Sequence, residues 1–181
     1  MLDKMQKRPY SLEDPSDYWF NKFKEVKKTL ESVFSYKAIA IEHVGSTSLG
    51  IKAKPLLDIL VVVKDINDIF KEKEKMKEFG YLWEDNYIAP DTSFIYKLEG
   101  EGGEERKIEN IHVVPPGHFK INHFILQRDY FLAHPEKLKE YEDLKVKLNK
   151  KFPDDYPSYR AGKDQFLKDI QKLAEEWKEN K

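Results

Sequence analysis

Apolar residues recur at spacings of three and four through Trp19, Phe23, Val26, Leu30 and Val33. That period predicts an amphipathic helix opening near Pro15-Ser16-Asp17, with one stripe turned toward a core. The pattern then changes to a predicted strand over 36–44. A nearly unbroken apolar strand follows over 55–63, as expected where both faces are covered. Ile66, Ile69, Phe70, Met76 and Phe79 mark a second amphipathic helix, closed by Gly80. Strands are predicted over 81–88, 92–98 and 107–114, the last two joined by a glycine-rich hairpin at 100–103. Pro115-Pro116-Gly117 ends the last strand. Helices are then predicted over 120–133, 135–151 and 163–179. Leu138, Tyr141, Leu144 and Leu148 give the middle one its stripe, and Pro135 suits its start. With no repeat, low-complexity linker or shift in composition, the expectation is one α+β domain spanning 1–181, a mixed sheet followed by a helical tail.

Composition narrows the chemistry. The 181 residues, 40% of them hydrophobic, suffice for a core without covalent staples. The absence of cysteine excludes disulfides, thiolate nucleophiles and thiolate zinc sites, and points to a cytoplasmic protein. No apolar run approaches the roughly 20 residues that span a bilayer, and the first ten residues lack a signal-peptide core, so no membrane association is expected. With 32 basic and 33 acidic side chains the net charge is −1, which gives no strong nucleic-acid signal while leaving room for a local basic cleft. The Lys/Glu runs, such as the one from Lys71, are read as solvated helix faces.

The chemistry-bearing feature lies between the first two strands. Gly45-Ser46-Thr47-Ser48 forms a small, hydroxyl-rich turn, and Asp58 interrupts the apolar strand beyond it. N–H groups at the start of a helix point outward and attract phosphate. Gly45 allows close backbone approach, and Ser46, Thr47 and Ser48 add donors. Asp58 can offer hard oxygen ligation to Mg²⁺. A plainer reading stays open, in which Ser46 or Ser48 caps a short helix and Asp58 caps a strand end. No Gly-x-Gly-x-x-Gly or Walker-type loop is present, which disfavours a Rossmann site or a P-loop kinase. GSTSLG is not the nucleophile elbow of a hydrolase. His118, His123 and His134 carry no metal-binding spacing.

The stretch 42–63, EHVGSTSLGIKAKPLLDILVVV, resembles the GrpB family, whose hallmark is EH-[VI]-GSTS followed by AKP and an acid. Pro9-Tyr10 with Trp19, His112-Val113-Val114, the run QRDYFL from Gln127, His134-Pro135-Glu136, Tyr141, Leu144-Lys145, and Tyr159 with Lys163 follow in family order. The resemblance covers nearly the whole chain. It implies the nucleotidyltransferase superfamily and its polymerase-β-like fold, a mixed β-sheet with helices packed on it. In that superfamily a Gly-Ser turn binds the nucleotide triphosphate. Two carboxylates one residue apart on the following strand hold two metals, usually with a third acid from a later strand. By this resemblance Gly45 and Ser46 match the turn and Asp58 the first carboxylate. Leu60 stands where the second belongs, and a two-metal displacement needs ligands for both ions. Glu109, on the last predicted strand, alternates against His112, so it is expected to face away from the cleft toward solvent. Glu42 alternates against His43 in the same way.

Other residues carry two readings each. His43 and His112 are either structural or ligand-facing, able to contact phosphate or orient Asp58; with Asp58 they form the candidate catalytic set. Lys54 is either a phosphate ligand or a solvated lysine. Arg128 makes either an ion pair with Asp129 or a bidentate phosphate clamp. Tyr159 and Lys163, with Lys145, reach the cleft only if the C-terminal helices fold back over the sheet, where Tyr159 would stack on a base. Two functions follow. One is a nucleotidyltransferase that binds a nucleotide or other phosphorylated small molecule with Mg²⁺ and passes a nucleotidyl group to a small acceptor. The other is a non-catalytic nucleotide or phosphometabolite binder. The family's fusion to a coenzyme A biosynthesis kinase in some bacteria implies a role near coenzyme A metabolism. An interaction module has no positive signal.

Overall fold

The computed structural model describes residues 10–85, 91–101 and 105–180. The predicted apolar stripe of the first helix, α1 (Tyr18–Phe34), buries Val26, Leu30, Val33 and Phe34. These side chains lie on the sheet residues Leu57, Ile59, Val61, Ile95, Ile111 and Val113. Each fully buried side chain of this kind contributes roughly 1.5–3 kcal/mol. The strands are β1 (Ala38–Val44), β2 (Leu57–Val63), β3 (Leu82–Asp85), β4 (Ser93–Glu99) and β5 (Arg106–Val114), in the spatial order β1-β2-β5-β4-β3. Only β2 and β5 run parallel; the other neighbours are antiparallel. The sheet is therefore mixed, as expected.

Alternation along β2 divides the two faces. Leu57, Ile59, Val61 and Val63 turn toward α1, while Leu60 and Val62 join Val44 and Val114 in a separate apolar patch on the other face. Asp58 shares that second face. Ile121, Phe124 and Ile125 pack on that face, and the tail continues through α5 (Gln127–Ala133), α6 (Pro135–Lys151) and α7 (Tyr156–Glu179). Tyr130, Phe131, Tyr141, Ile170 and Ala174 pack there with Leu49 and Ile51 beyond the Gly-Ser turn. The N-terminal segment is tied in by a pair of backbone hydrogen bonds between Glu13 and Ala53, and by the Tyr10 hydroxyl donating to the Phe152 carbonyl at 2.8 Å.

The departures from expectation are local. The last helix starts at Tyr156 rather than 163: the Asp155 side chain accepts from the Ser158 N–H at 3.1 Å, and Pro157 lies in the first turn, where its missing donor costs nothing. The helix expected over 66–80 is broken into α2 (Ile66–Ile69) and α3 (Lys73–Glu78) by a tight turn at Phe70–Glu72. That expected over 120–133 opens with one turn, α4 (Phe119–Ile121), and continues as a π-helical stretch, Asn122–Leu126, before α5. Residues 86–88 of the strand expected over 81–88, and 102–103 of the expected hairpin turn, lie outside the described residues. Glu99 nonetheless pairs with Arg106, as a hairpin requires. Among the described residues no helix is long and apolar enough to cross a membrane.

Candidate functional site

The helical tail, the Gly-Ser turn and the second sheet face border a cavity of about 370 Å³, within the range of small-molecule sites. Asp58, Asn110, His112 and Phe94 form its sheet side, and Gly45, Ser46 and Thr47 one corner. Phe124, Gln127, Arg128 and Phe131 come from the π-helical stretch and α5. Tyr141 and Lys145 come from α6, and Tyr156, Tyr159, Arg160 and Lys163 from α7. The α7 set recurs at spacings of three and four, so one helix face supplies it. Lys54 and Lys107 complete the basic lining, which carries six lysines and arginines against the single carboxylate of Asp58.

Gly45 is required by geometry. Its φ of +73° disfavours any side chain, and a Cβ there would sit 2.7 Å from Asp58 Oδ2. The turn and the carboxylate are thus in direct contact. Of the three hydroxyls, two are used internally: Ser48 Oγ donates to the Gly45 carbonyl at 2.7 Å, and Thr47 Oγ1 to the Leu56 carbonyl at 3.1 Å. Ser48 does not line the cavity. Ser46 does, and bonds the buried Tyr141 hydroxyl, which burial pushes up to about 12.

Asp58 pairs in register with Asn110 on β5, whose Nδ2 donates to Asp58 Oδ1 at 2.9 Å. Burial raises the Asp58 carboxyl above the usual range, against the lowering by that hydrogen bond and by Lys54 and Lys163. Asn110 Oδ1 is buried and has no partner among the described residues. Sequence reasoning weighed only acids for this strand and passed over Asn110, which occupies the place beside Asp58. Arg160 and Lys107 were also missed. The signal for Arg160 was present in Asp155 and Pro157, which mark the earlier helix start.

His43 is turned away from the cavity. It is buried against Phe23 (ring centroids 5.1 Å apart) and Phe20 (5.5 Å) of α1, and Nε2 lies 3.1 Å from Thr47 Oγ1. Because that hydroxyl donates to Leu56, Nε2 carries the proton donated to Thr47. Burial, with Arg128 nearby, lowers the ring to about 4. His43 therefore supports the turn from behind. Arg128 lines the cavity, yet its fork is engaged: Nε donates to Asp129, and Nη1 to Glu42 and to the His43 carbonyl, each at 2.9 Å. The ion pair with Asp129 is present and extends to Glu42.

Glu109 corrects an expectation. It does face away from His112, but it is only 1% exposed, because α1 and Tyr81 cover that side of β5. It accepts from the Tyr81 hydroxyl and lies 3.3 Å from Lys22 Nζ. Leu60 is fully buried in its apolar patch.

The helical tail does fold back. Lys145, 1% exposed, donates to the Lys52 carbonyl, and burial followed by Lys163 lowers it to about 7. Lys163 lies 4.5 Å from the Tyr159 ring centroid and is lowered to about 8 by burial, then by Lys54 and Arg160. Lys54 stands over the Tyr156 ring at 3.9 Å. Tyr159 itself is buried against Tyr10 and Tyr156, which makes it part of the wall.

The family model described as GrpB protein matches residues 9–173. The glutamate-rich protein GrpB of Alkalihalophilus pseudofirmus is 35% identical over 157 residues, covering 86% of this chain and 90% of the relative. The UPF0157 protein YqkA of Bacillus subtilis is 34% identical over 168 residues, 92% of this chain and 47% of the relative, so this chain spans about half the length of that protein. The crystal structure of conserved protein GrpB from Enterococcus faecalis superposes with a TM-score of 0.81 at 24% identity, over 91% of this chain and 96% of that one, and shares the fold. A lesser likeness, TM-score 0.49 at 16% identity over 75% of this chain and 42% of that one, is to Cid1 in complex with its short product ApU.

Proposed function

The chain belongs to the GrpB family, and we propose that it binds a nucleoside triphosphate or a similar phosphorylated metabolite in the cavity over Asp58, without transferring a nucleotidyl group. The observation that carries this reading is the imbalance of the lining, where Lys54, Lys107, Arg128, Lys145, Arg160 and Lys163 surround one carboxylate. Such a lining attracts a polyanion, with Arg128 already paired to Asp129 and Glu42. Burial above all loosens the protons of Lys145 and Lys163, and neighbouring cations add to it. Phosphates would lie at Gly45 and Ser46, within reach of Lys54 and Lys163. The absence of cysteine suits such a role in the cytoplasm.

A Mg²⁺ ion fits this site singly. Asp58 offers an oxygen, and Asn110 Oδ1, buried without a partner, offers a second hard donor beside it. Among the described residues no group of three or more His, Asp or Glu side chains is placed to hold a metal. When bound, the ion would neutralise phosphate charge, its remaining positions filled by water and ligand oxygens. Nucleotidyl transfer to a small hydroxyl- or phosphate-bearing acceptor is the second reading, favoured by the contact between the Gly45 turn and Asp58. Leu60 weighs against it: the position for a second carboxylate is closed off in an apolar patch.

The test is a thermal-shift panel of nucleoside triphosphates with Mg²⁺, run beside a pyrophosphate assay. Binding predicts a raised Tm with no pyrophosphate, and loss of the Mg²⁺-dependent part of the shift in Asp58→Asn. Pyrophosphate release abolished by Asp58→Asn would establish transfer instead. No shift with any nucleotide would sink both readings.

A further inference from the structure

His112 lies on β5 two residues beyond Asn110 on the same face, about 7 Å further along the strand. It lines the cavity, as do Phe94 and Phe124. Lys120, only 5% exposed, places Nζ 3.2 Å from His112 Nδ1. A lysine ammonium has three donors and no acceptor, so Nδ1 must accept. A neutral imidazole then carries its single proton on Nε2. Phe94 and Phe124 flank the ring, with centroids 5.1 and 4.9 Å away. Burial above all disfavours a second proton on the ring, and Lys120, His123 and Lys107 act in the same direction. With Nδ1 occupied by Lys120, His112 is excluded as a general base or metal ligand through that atom. What remains is a fixed, uncharged N–H donor between aromatic rings.

We infer that Lys120 locks His112 as an Nε2–H donor, and that this part of the cavity takes the uncharged heterocycle of the ligand, with a ring carbonyl accepting from His112. This rests on the phosphate-binding reading above, and deepens it by assigning the heterocycle to the part of the cavity lined by His112, Phe94 and Phe124. Lys120 is then a positioning residue that acts through His112.

Two measurements test it. In ¹⁵N-edited NMR of the full chain without ligand, His112 is expected in the Nε2–H form near neutral pH, where Lys120 is charged. Lys120→Met should release it to a mixture of tautomers, and Lys120→Arg should restore the lock. A Nδ1–H ring, or a tautomer indifferent to Lys120, overturns the inference even if Lys120→Met proves too unstable to measure, since the wild-type spectrum alone decides the first point. In calorimetric titration, UTP and GTP should bind on the order of tenfold more tightly than tripolyphosphate, and His112→Phe should remove most of that gain. An equal gain for ATP, which has no ring carbonyl, overturns the carbonyl assignment. Binding of tripolyphosphate with no gain for any nucleotide overturns this inference alone. Failure of tripolyphosphate and all nucleotides to bind overturns the phosphate-binding reading, and this one with it.

Discussion

Asn110 holds Asp58: its Nδ2 donates to Asp58 Oδ1 at 2.9 Å across the parallel β2–β5 pair, leaving its own Oδ1 buried and unpartnered. A carboxylate at the edge of a basic cavity would otherwise be free to swing onto Lys54 or Lys163. The amide fixes its direction while adding no negative charge. Asn110→Leu should therefore weaken Mg²⁺-dependent nucleotide binding roughly tenfold with a stability change of about 1 kcal/mol, the size of one hydrogen bond. Calorimetry with and without Mg²⁺ checks the first number and urea unfolding the second.

Gly45→Ala should damage the site more than its size suggests. The substitution strains a backbone at φ +73° and puts a methyl 2.7 Å from Asp58 Oδ2. A stability loss of roughly 1–3 kcal/mol is expected, together with loss of nucleotide binding. Wild-type affinity in the alanine variant would refute the close contact of turn and carboxylate.

Leu60→Asp restores the sequence pattern of a two-metal site, yet it should not restore the chemistry. Leu60 is fully buried beside Val44, Val62 and Val114, so an acid there would be desolvated and unpaired. Unfolding measurements should show destabilisation of roughly 3–5 kcal/mol, with no pyrophosphate release gained.

Ligand binding should depend on pH through Lys145 and Lys163, which lose their protons near 7 and 8. A polyanion favours their charged forms, so binding takes up protons and affinity falls as pH rises from 6.5 to 8.5. Titrations in buffers of different ionisation enthalpy measure the uptake. The stability of the free protein should run the other way. Between these lowered values and the ordinary lysine value near 10.5 the unfolded chain holds more protons, so these two groups make stability rise with pH over that window.

The residues explain which parts of this picture were legible in advance. The apolar run of β2 and the stripe of α1 announced themselves because burial writes a period into the sequence. The Gly-Ser turn and Asp58 were legible for the same reason, as interruptions of that period. Asn110 was not, because its importance comes from a parallel register with a strand some fifty residues earlier, and pairing between distant strands leaves no local mark. Alternation correctly separated Glu109 from His112. It could not say that α1 and Tyr81 cover the far face, so solvent was the wrong environment for Glu109. His43 sits in the most recognisable stretch of the chain, yet its ring packs on Phe20 and Phe23, whose position depends on how α1 docks.

Titration of tripolyphosphate into the wild-type protein and into a Lys54→Ala, Lys163→Ala double variant decides whether the basic cavity holds phosphate. Saturable binding is predicted for the wild type, weakening steeply with added salt, and at least about tenfold weaker in the double variant. No saturable binding, or binding that the double variant leaves unchanged, would contradict it.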